Sequence, residues 1–159
     1  MSLDTTADSI TAEDAGTSQF LTFQIAGEEY ALDILVVQEI RSNTAATRVP
    51  NSPPHVTGVL NLRGAIVPLF DLRAMFNLPA CEYDQFAAII VVNSGRQVTG
   101  LIVDRVSEVI TALDSDIQPA PEIGKNIDDD AIRGILRHEE KLIIVLDAIS
   151  LLGDEENSQ

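Results

Sequence analysis

Along most of this chain, apolar and polar side chains alternate with a period of two, the spacing that buries one face of a β-strand. Phe20-Leu-Thr-Phe-Gln-Ile25 alternates in this way, Gly27 with Glu28 and Glu29 supplies a tight turn, and Tyr30-Ala-Leu32 returns as a hairpin partner. Between Asp33 and Arg41 two periods compete. Ile34, Val37 and Ile40 are spaced as on a helix, whereas the density of β-branched residues favours a strand. A turn near Ile34 leading into a strand over Val36 to Ile40 accommodates both. Ser42 to Val49 reads as a polar loop. Pro50, Pro53 and Pro54 punctuate the next segment, where one helical turn fits ahead of Gly58.

The stretch Gly58 to Arg73 is the most informative. Val59, Asn61 and Arg63 alternate with Leu60 and Leu62, and Gly64 supplies a turn position that other residues occupy only with strain. A second strand runs from Ala65 to Phe70. Pro68 removes one ladder donor from it, which predicts a sheet edge or a bulge. Asp71 is a suitable N-cap for a short helix, Leu72 to Asn77. Arg63 thus falls at the turn of a hairpin.

Beyond a crossing loop over Pro79 to Gln85, Phe86-Ala-Ala-Ile-Ile-Val-Val-Asn93 predicts a strand buried on both faces. Ser94-Gly95 turns it back into Gln97 to Asp104, and Val106, Val109 and Ile110 continue as another strand. Residues 114 to 130 read as a long exposed excursion. Ile132 to Leu136 and Leu142 to Leu146 form a closing hairpin, after which Asp147 caps a short helix, Ala148 to Leu152.

About ten short strands separated by turn signals, with only short helices, define an all-β chain built as two small packed barrels. The expected division places the first barrel at about 26–80 and the second at about 81–147, with the strand 19–25 shared. Residues 1–18 and 154–159 are acidic tails with little to bury.

Charge narrows the choice of partners. The 159 residues carry 25 acids and 10 bases, a net of −15; setting aside the seven tail acids leaves 18 against 10. No clustered basic face is visible, so neither a phosphate backbone nor an anionic lipid surface is an expected partner. Cys81 is alone, which excludes an internal disulfide. The start of the chain has no basic region followed by an apolar run, and no stretch approaches the length of a membrane span. The expectation is a cytoplasmic, monomeric protein without direct membrane contact.

Catalytic constellations are missing. His55 and His138 are far apart and have no Cys or carboxylate at metal-ligand spacing, Cys81 has no nearby base, and no phosphate-binding glycine fingerprint occurs. Asp128-Asp-Asp130 lacks the alternating ligands, central Gly and terminal Glu of a calcium loop. Asp147, at the end of an apolar strand, resembles a phospho-acceptor aspartate. A receiver would also need alternating strands and helices and a late lysine, so helix capping is the preferred role. Arg63 is open to two readings: a turn arginine, solvated or paired with a carboxylate such as Asp71, or a cation projecting toward a partner. Glu39 is similarly either an ordinary solvent-facing residue or part of a binding surface. No enzyme, cofactor or metal is expected; the residues describe a binding module.

Asn61-Leu-Arg-Gly-Ala-Ile-Val-Pro68 followed by Asp71-Leu-Arg73 resembles the signature of the CheW-like domain family. Glu29-Tyr-Ala-Leu-Asp33 with Val37-Gln-Glu-Ile-Arg41, Gly100-Leu-Ile-Val-Asp104 with Val106, and Gly134-Ile135 match the same family in order, from about Gln19 to Gly153. Two departures stand out: Asn77, where many relatives have Gly, and Phe70, bulkier than the usual aliphatic. The resemblance implies two five-stranded barrels of the Src-homology-3 type. It also implies a non-catalytic adaptor that links transmembrane chemoreceptors to the histidine kinase CheA, recruited to membrane-associated receptor arrays; a scaffold of a non-motility CheA-linked pathway is the alternative. On the family's pattern, the receptor's cytoplasmic helical tip would dock at Ile34, Val37, Glu39, Gly58 and Arg63, with Val106 on the opposing wall. The regulatory domain of the kinase would contact the end of the first barrel near Arg41, Ser42 and Thr47.

Overall fold

Two six-stranded sheets make up the computed structural model, which describes residues 16–42, 46–47, 56–76, 78–79, 84–95, 97–119 and 131–151. The strands in chain order are β1 (Thr17–Ile25), β2 (Glu28–Asp33), β3 (Val37–Ser42), β4 (Ala46–Thr47), β5 (Val56–Leu62) and β6 (Ala65–Asp71). After a helix α1 (Leu72–Met75) come β7 (Ala88–Asn93), β8 (Val98–Val103), β9 (Arg105–Leu113), β10 (Ile117–Gln118), β11 (Ile132–His138) and β12 (Lys141–Leu146). The expectations for both tails and for Pro50, Pro53, Pro54, His55, Asn77, Cys81 and Asp128 to Asp130 lie outside the described residues.

One sheet has the order β3-β7-β8-β6-β5-β4 and the other β10-β11-β12-β2-β1-β9. They correspond to the two barrels expected, with six strands each because the two-residue strands β4 and β10 extend their edges. The division of the chain differs from the expected one. β7 and β8, placed in the second barrel by a cut near residue 80, belong to the first, and β2 lies with β1 in the second. The cause is long-range pairing: β8 runs parallel to β6 and β12 parallel to β2, and alternation alone does not specify such neighbours.

Local signals act as anticipated. Arg63 and Gly64 both adopt positive φ, 52° and 91°, the geometry of a two-residue hairpin turn whose twist matches the strands it joins. Asp71 accepts from the Arg73 amide at 2.9 Å and starts α1; Asp147 accepts from the amides of Ile149 and Ser150 and starts a helix over 148–151. Of the edge or bulge expected at Pro68, the edge is not found, since β6 lies inside its sheet, between β5 and β8, while a register shift does occur just beyond it, between Val56 and Gly58 opposite Phe70 and Leu69. The register explains this. Leu62 and Ala65 flank the turn, so alternate pairs exchange hydrogen bonds with β5, and Pro68, opposite Val59, falls on a pair that does not. Its nitrogen faces β8, whose pairing begins only at Leu69.

Three apolar clusters follow from this arrangement. Leu60, Leu62, Val67, Leu69, Ile89, Val91 and Ile102 fill the first barrel. Phe20, Ala31, Ile110, Leu136, Ile143 and Val145 fill the second. The largest cluster lies between the sheets, where Leu21, Phe23, Ile25, Tyr30 and Leu32 meet Phe70, Leu72, Phe76, Ile90, Val92, Leu101 and Val103. β7 serves two clusters, Ile89 and Val91 on one face and Ile90 and Val92 on the other, which is why its sequence is continuously apolar.

Candidate functional site

The chain leaves the second sheet after Asp33 and enters the first at Val37, through a single 3-10 turn, Ile34–Val36. The Asp33 carboxylate accepts from the Leu35 amide at 2.9 Å and sets this turn. With three residues per turn, Ile34 and Val37 fall on one side. Both pack half-buried against the cluster between the sheets. Leu35 points the other way and is 88% exposed. A cavity of about 400 Å³ lies beside it, between Ile34, the start of β1 and Thr111.

A bulge then redirects β3. Val37 pairs with Val92 and Glu39 with Val91, so two steps on β3 face one on β7. Cross-strand partners share a face of the sheet. Val37 therefore lies on the face of Val92, toward the cluster between the sheets, while Glu39 lies on the face of Val91, toward the interior of the first barrel. Ile40, opposite Ile90, returns to the side of Val37 and remains 45% exposed. The helix-like spacing of Ile34, Val37 and Ile40 is thus produced by a 3-10 turn followed by a bulge. The three residues form one apolar row.

Glu39, on the opposite face, meets Arg63. The guanidinium donates through both Nη atoms to the two carboxylate oxygens, each at 3.2 Å, across 24 residues of sequence. Arg41 approaches the same carboxylate at 3.7 Å. The local alternative, pairing of Arg63 with Asp71, is not formed in this way; Asp71 caps α1. The Arg63 side chain remains 71% exposed, so the pair sits at the surface and orients the guanidinium without burying it.

The remaining expected positions divide. Val106 packs half-buried against the same cluster as Ile34 and Val37, from the β9 side. Gly58 is buried in β5 opposite Leu69 and contributes backbone rather than exposed surface. Arg41 is half-buried and Ser42 exposed at the end of β3; Thr47 lies in β4, where the backbone alone is described. The structure thus joins Ile34, Val37 and Val106 through one apolar cluster and Glu39, Arg41 and Arg63 through one charged group. Leu35 and Ile40 were not singled out by sequence reasoning. The three-residue spacing from Ile34 to Ile40 contained the signal for Ile40.

Among the described residues no three metal-ligating side chains converge, and no helix is long and apolar enough to cross a membrane. The Tyr30 hydroxyl has its pKa raised by burial, with Glu28 adding to the effect. The face defines a class: a two-barrel β protein whose surface features, an apolar row and an oriented ion pair, suit the binding of another macromolecule.

Comparison with known proteins narrows that class. The profile of the CheW-like domain matches residues 19–156. The chain is 40% identical to the chemotaxis protein CheW of Klebsiella aerogenes over 151 residues, covering 95% of this chain and 90% of that protein. It is 37% identical to CheW of Bacillus subtilis, covering 94% and 96% respectively. The crystal structure of the scaffolding protein TtCheW from Thermoanaerobacter tengcongensis superposes with a TM-score of 0.77 at 34% identity, covering 85% of this chain and 87% of that one. The chain belongs to the CheW-like domain family, and with it to the non-catalytic scaffold proteins of chemotaxis.

Proposed function

We propose that this protein couples transmembrane chemoreceptors to the histidine kinase CheA by holding both at once. The observation that carries this reading is the edge strand β3, which presents the apolar row on one side and the forked Arg63–Glu39 pair on the other. An amphipathic helix offers a complementary apolar stripe flanked by polar side chains, and a face of half-buried aliphatic residues receives it. Ile34, Val37 and Val106 supply that face for the receptor's cytoplasmic tip. Glu39 and Arg63 fix the helix in register through charge-assisted hydrogen bonds, and Gly58 supports the β5–β6 hairpin that carries Arg63. The regulatory domain of CheA takes the end of the first barrel, at Arg41, Ser42 and Thr47. The recruited protein would then sit on the cytoplasmic side of receptor arrays with no membrane contact of its own.

The test is a binding assay of the purified protein with the isolated CheA regulatory domain and with a receptor cytoplasmic fragment, separately and together. A ternary complex, with Val37→Asp weakening the receptor alone, is the expected result. Competition between the two partners for one surface would overturn the reading.

A further inference from the structure

The chain passes between the two sheets at two described junctions. The first is the 3-10 turn at Ile34–Val36; the second is a single residue, Asp104, between β8 and β9. A one-residue junction carries the direction of the following strand in its own backbone dihedrals, and here the side chain is held from both sides. Asp104 Oδ1 accepts from Arg73 Nε at 3.1 Å, and Oδ2 accepts from Arg73 Nη2 at 2.7 Å. Oδ2 also accepts from the Ala26 amide at 2.9 Å, and the Asp104 amide donates to the Gln24 carbonyl oxygen at 3.1 Å. Arg73 follows β6 of the first sheet, whereas Gln24 and Ala26 belong to the β1–β2 hairpin of the second. Arg73 is anchored in turn, donating from Nη1 to the Pro79 carbonyl oxygen at 2.9 Å. One carboxylate therefore ties both sheets to the point where the chain crosses between them.

We infer that Asp104, gripped by Arg73, is a positioning residue that sets the angle between the two sheets and with it the distance between the walls of the apolar face. The apolar cluster between the sheets resists their separation, but apolar contact is non-directional and tolerates small rotations. A forked guanidinium–carboxylate pair does not tolerate them, because both hydrogen bonds lose alignment together. Val106, two residues beyond Asp104, is the wall residue that such a rotation displaces relative to Ile34 and Val37. The inference rests on the receptor-docking reading for its functional consequence and stands apart from it for the angle itself.

The test uses the full chain, isotopically labelled, with Asp104→Asn and Arg73→Gln as variants. Residual dipolar couplings of the backbone amides report the orientation of each sheet. In the wild-type protein one alignment frame fits both sheets. In either variant each sheet still fits its own coordinates, but a single frame no longer fits the two at the wild-type angle. Receptor-fragment affinity falls at least about tenfold while affinity for the CheA regulatory domain stays within about twofold. A single frame at the wild-type angle in both variants would overturn the inference. Arg73→Gln keeps the Ala26 and Gln24 contacts and serves if Asp104→Asn does not fold. Failure of both variants to fold would overturn the inference as well, showing the pair to be a requirement of the fold. A wild-type protein that ignores the receptor fragment refutes the docking reading and leaves the coupling measurement to decide the angle.

Discussion

Replacing Arg63 with asparagine separates its role in the turn from its role at the surface. Arg63 occupies a left-handed conformation, φ 52°, directly before Gly64, and Asn-Gly is the pair such a turn prefers. Asparagine therefore relieves roughly 0.5–1 kcal/mol of backbone strain. Against this stands the loss of the ion pair with Glu39, which at 71% exposure of the arginine side chain contributes about 0.2–1 kcal/mol. The two effects nearly cancel, so stability changes by less than about 0.5 kcal/mol and Tm by about 2 °C or less. Binding of a receptor fragment behaves differently, because loss of a charge-assisted hydrogen bond at an interface costs about 1.5–3 kcal/mol, roughly ten- to more than a hundredfold in Kd. Calorimetric titration with a receptor fragment and with the CheA regulatory domain, alongside a thermal melt, measures all three quantities. A Tm drop above about 5 °C, or equal losses for the two partners, would refute the assignment of Arg63 as a surface contact.

Three further predictions concern the scaffold. The Thr99 hydroxyl is fully buried with no hydrogen-bond partner among the described residues, so Thr99→Val should stabilise by about 1 kcal/mol, read as a rise in the urea midpoint at unchanged slope. A Cβ added to Gly134 would stand 2.6 Å from the Gln118 carbonyl oxygen and from Ile117 Cγ2. Gly134→Ala should therefore push β10 off β11 at a cost of about 1–3 kcal/mol, and hydrogen exchange should show protection lost first at Ile117 and Gln118. Tyr30 has a raised pKa in the fold, so the native state holds its proton more tightly than the unfolded chain does. Its contribution is fully present below the ordinary tyrosine pKa near 10 and is lost as pH rises through the folded value. Chemical denaturation between about pH 9 and 11 should show a decline in stability that Tyr30→Phe flattens.

How much of this was legible in the sequence depended on the range of the interaction. Hairpins were legible because glycine at Gly27, Gly64 and Gly95 marks positive φ within three residues of the strands it joins. Caps were legible because Asp71 and Asp147 act on amides two or three residues away. Sheet membership was not, since the parallel pairings of Tyr30 with Ile144 and of Leu69 with Gly100 join segments that alternate equally well with other neighbours. For the site, resemblance to the family drew attention to Glu39 and Arg63, while their bidentate contact and the bulge that turns Glu39 away from Val37 required coordinates. Pairing of Arg73 with Asp104 was invisible for the same reason: the residues are 31 positions apart, each just beyond the end of a strand, β6 and β8, whose parallel relation the pattern does not encode.

A scaffold that relates two partners must transmit position, and the distribution of apolar contacts determines whether it can. Had each barrel packed only its own interior, the two would be linked by a 3-10 turn and a single residue, Asp104, and would move as separate bodies. The largest cluster instead draws side chains from both sheets, with Phe76 and Leu72 of the α1 region packed into the same space. The Tyr30 ring lies 6.0 Å from that of Phe23 within the second sheet and 5.5 Å from that of Phe76 beyond it, so aromatic packing continues across the boundary. Burial of this cluster is lost as a unit when either sheet unfolds, which makes the stability of each barrel conditional on the other. Unfolding should then be a single transition, coincident for probes placed in β5 and in β12. Two resolved transitions would mean that the cluster is too weak to couple the barrels and that the partners are related by flexible tethers, a mechanism unlike the fixed geometry proposed here.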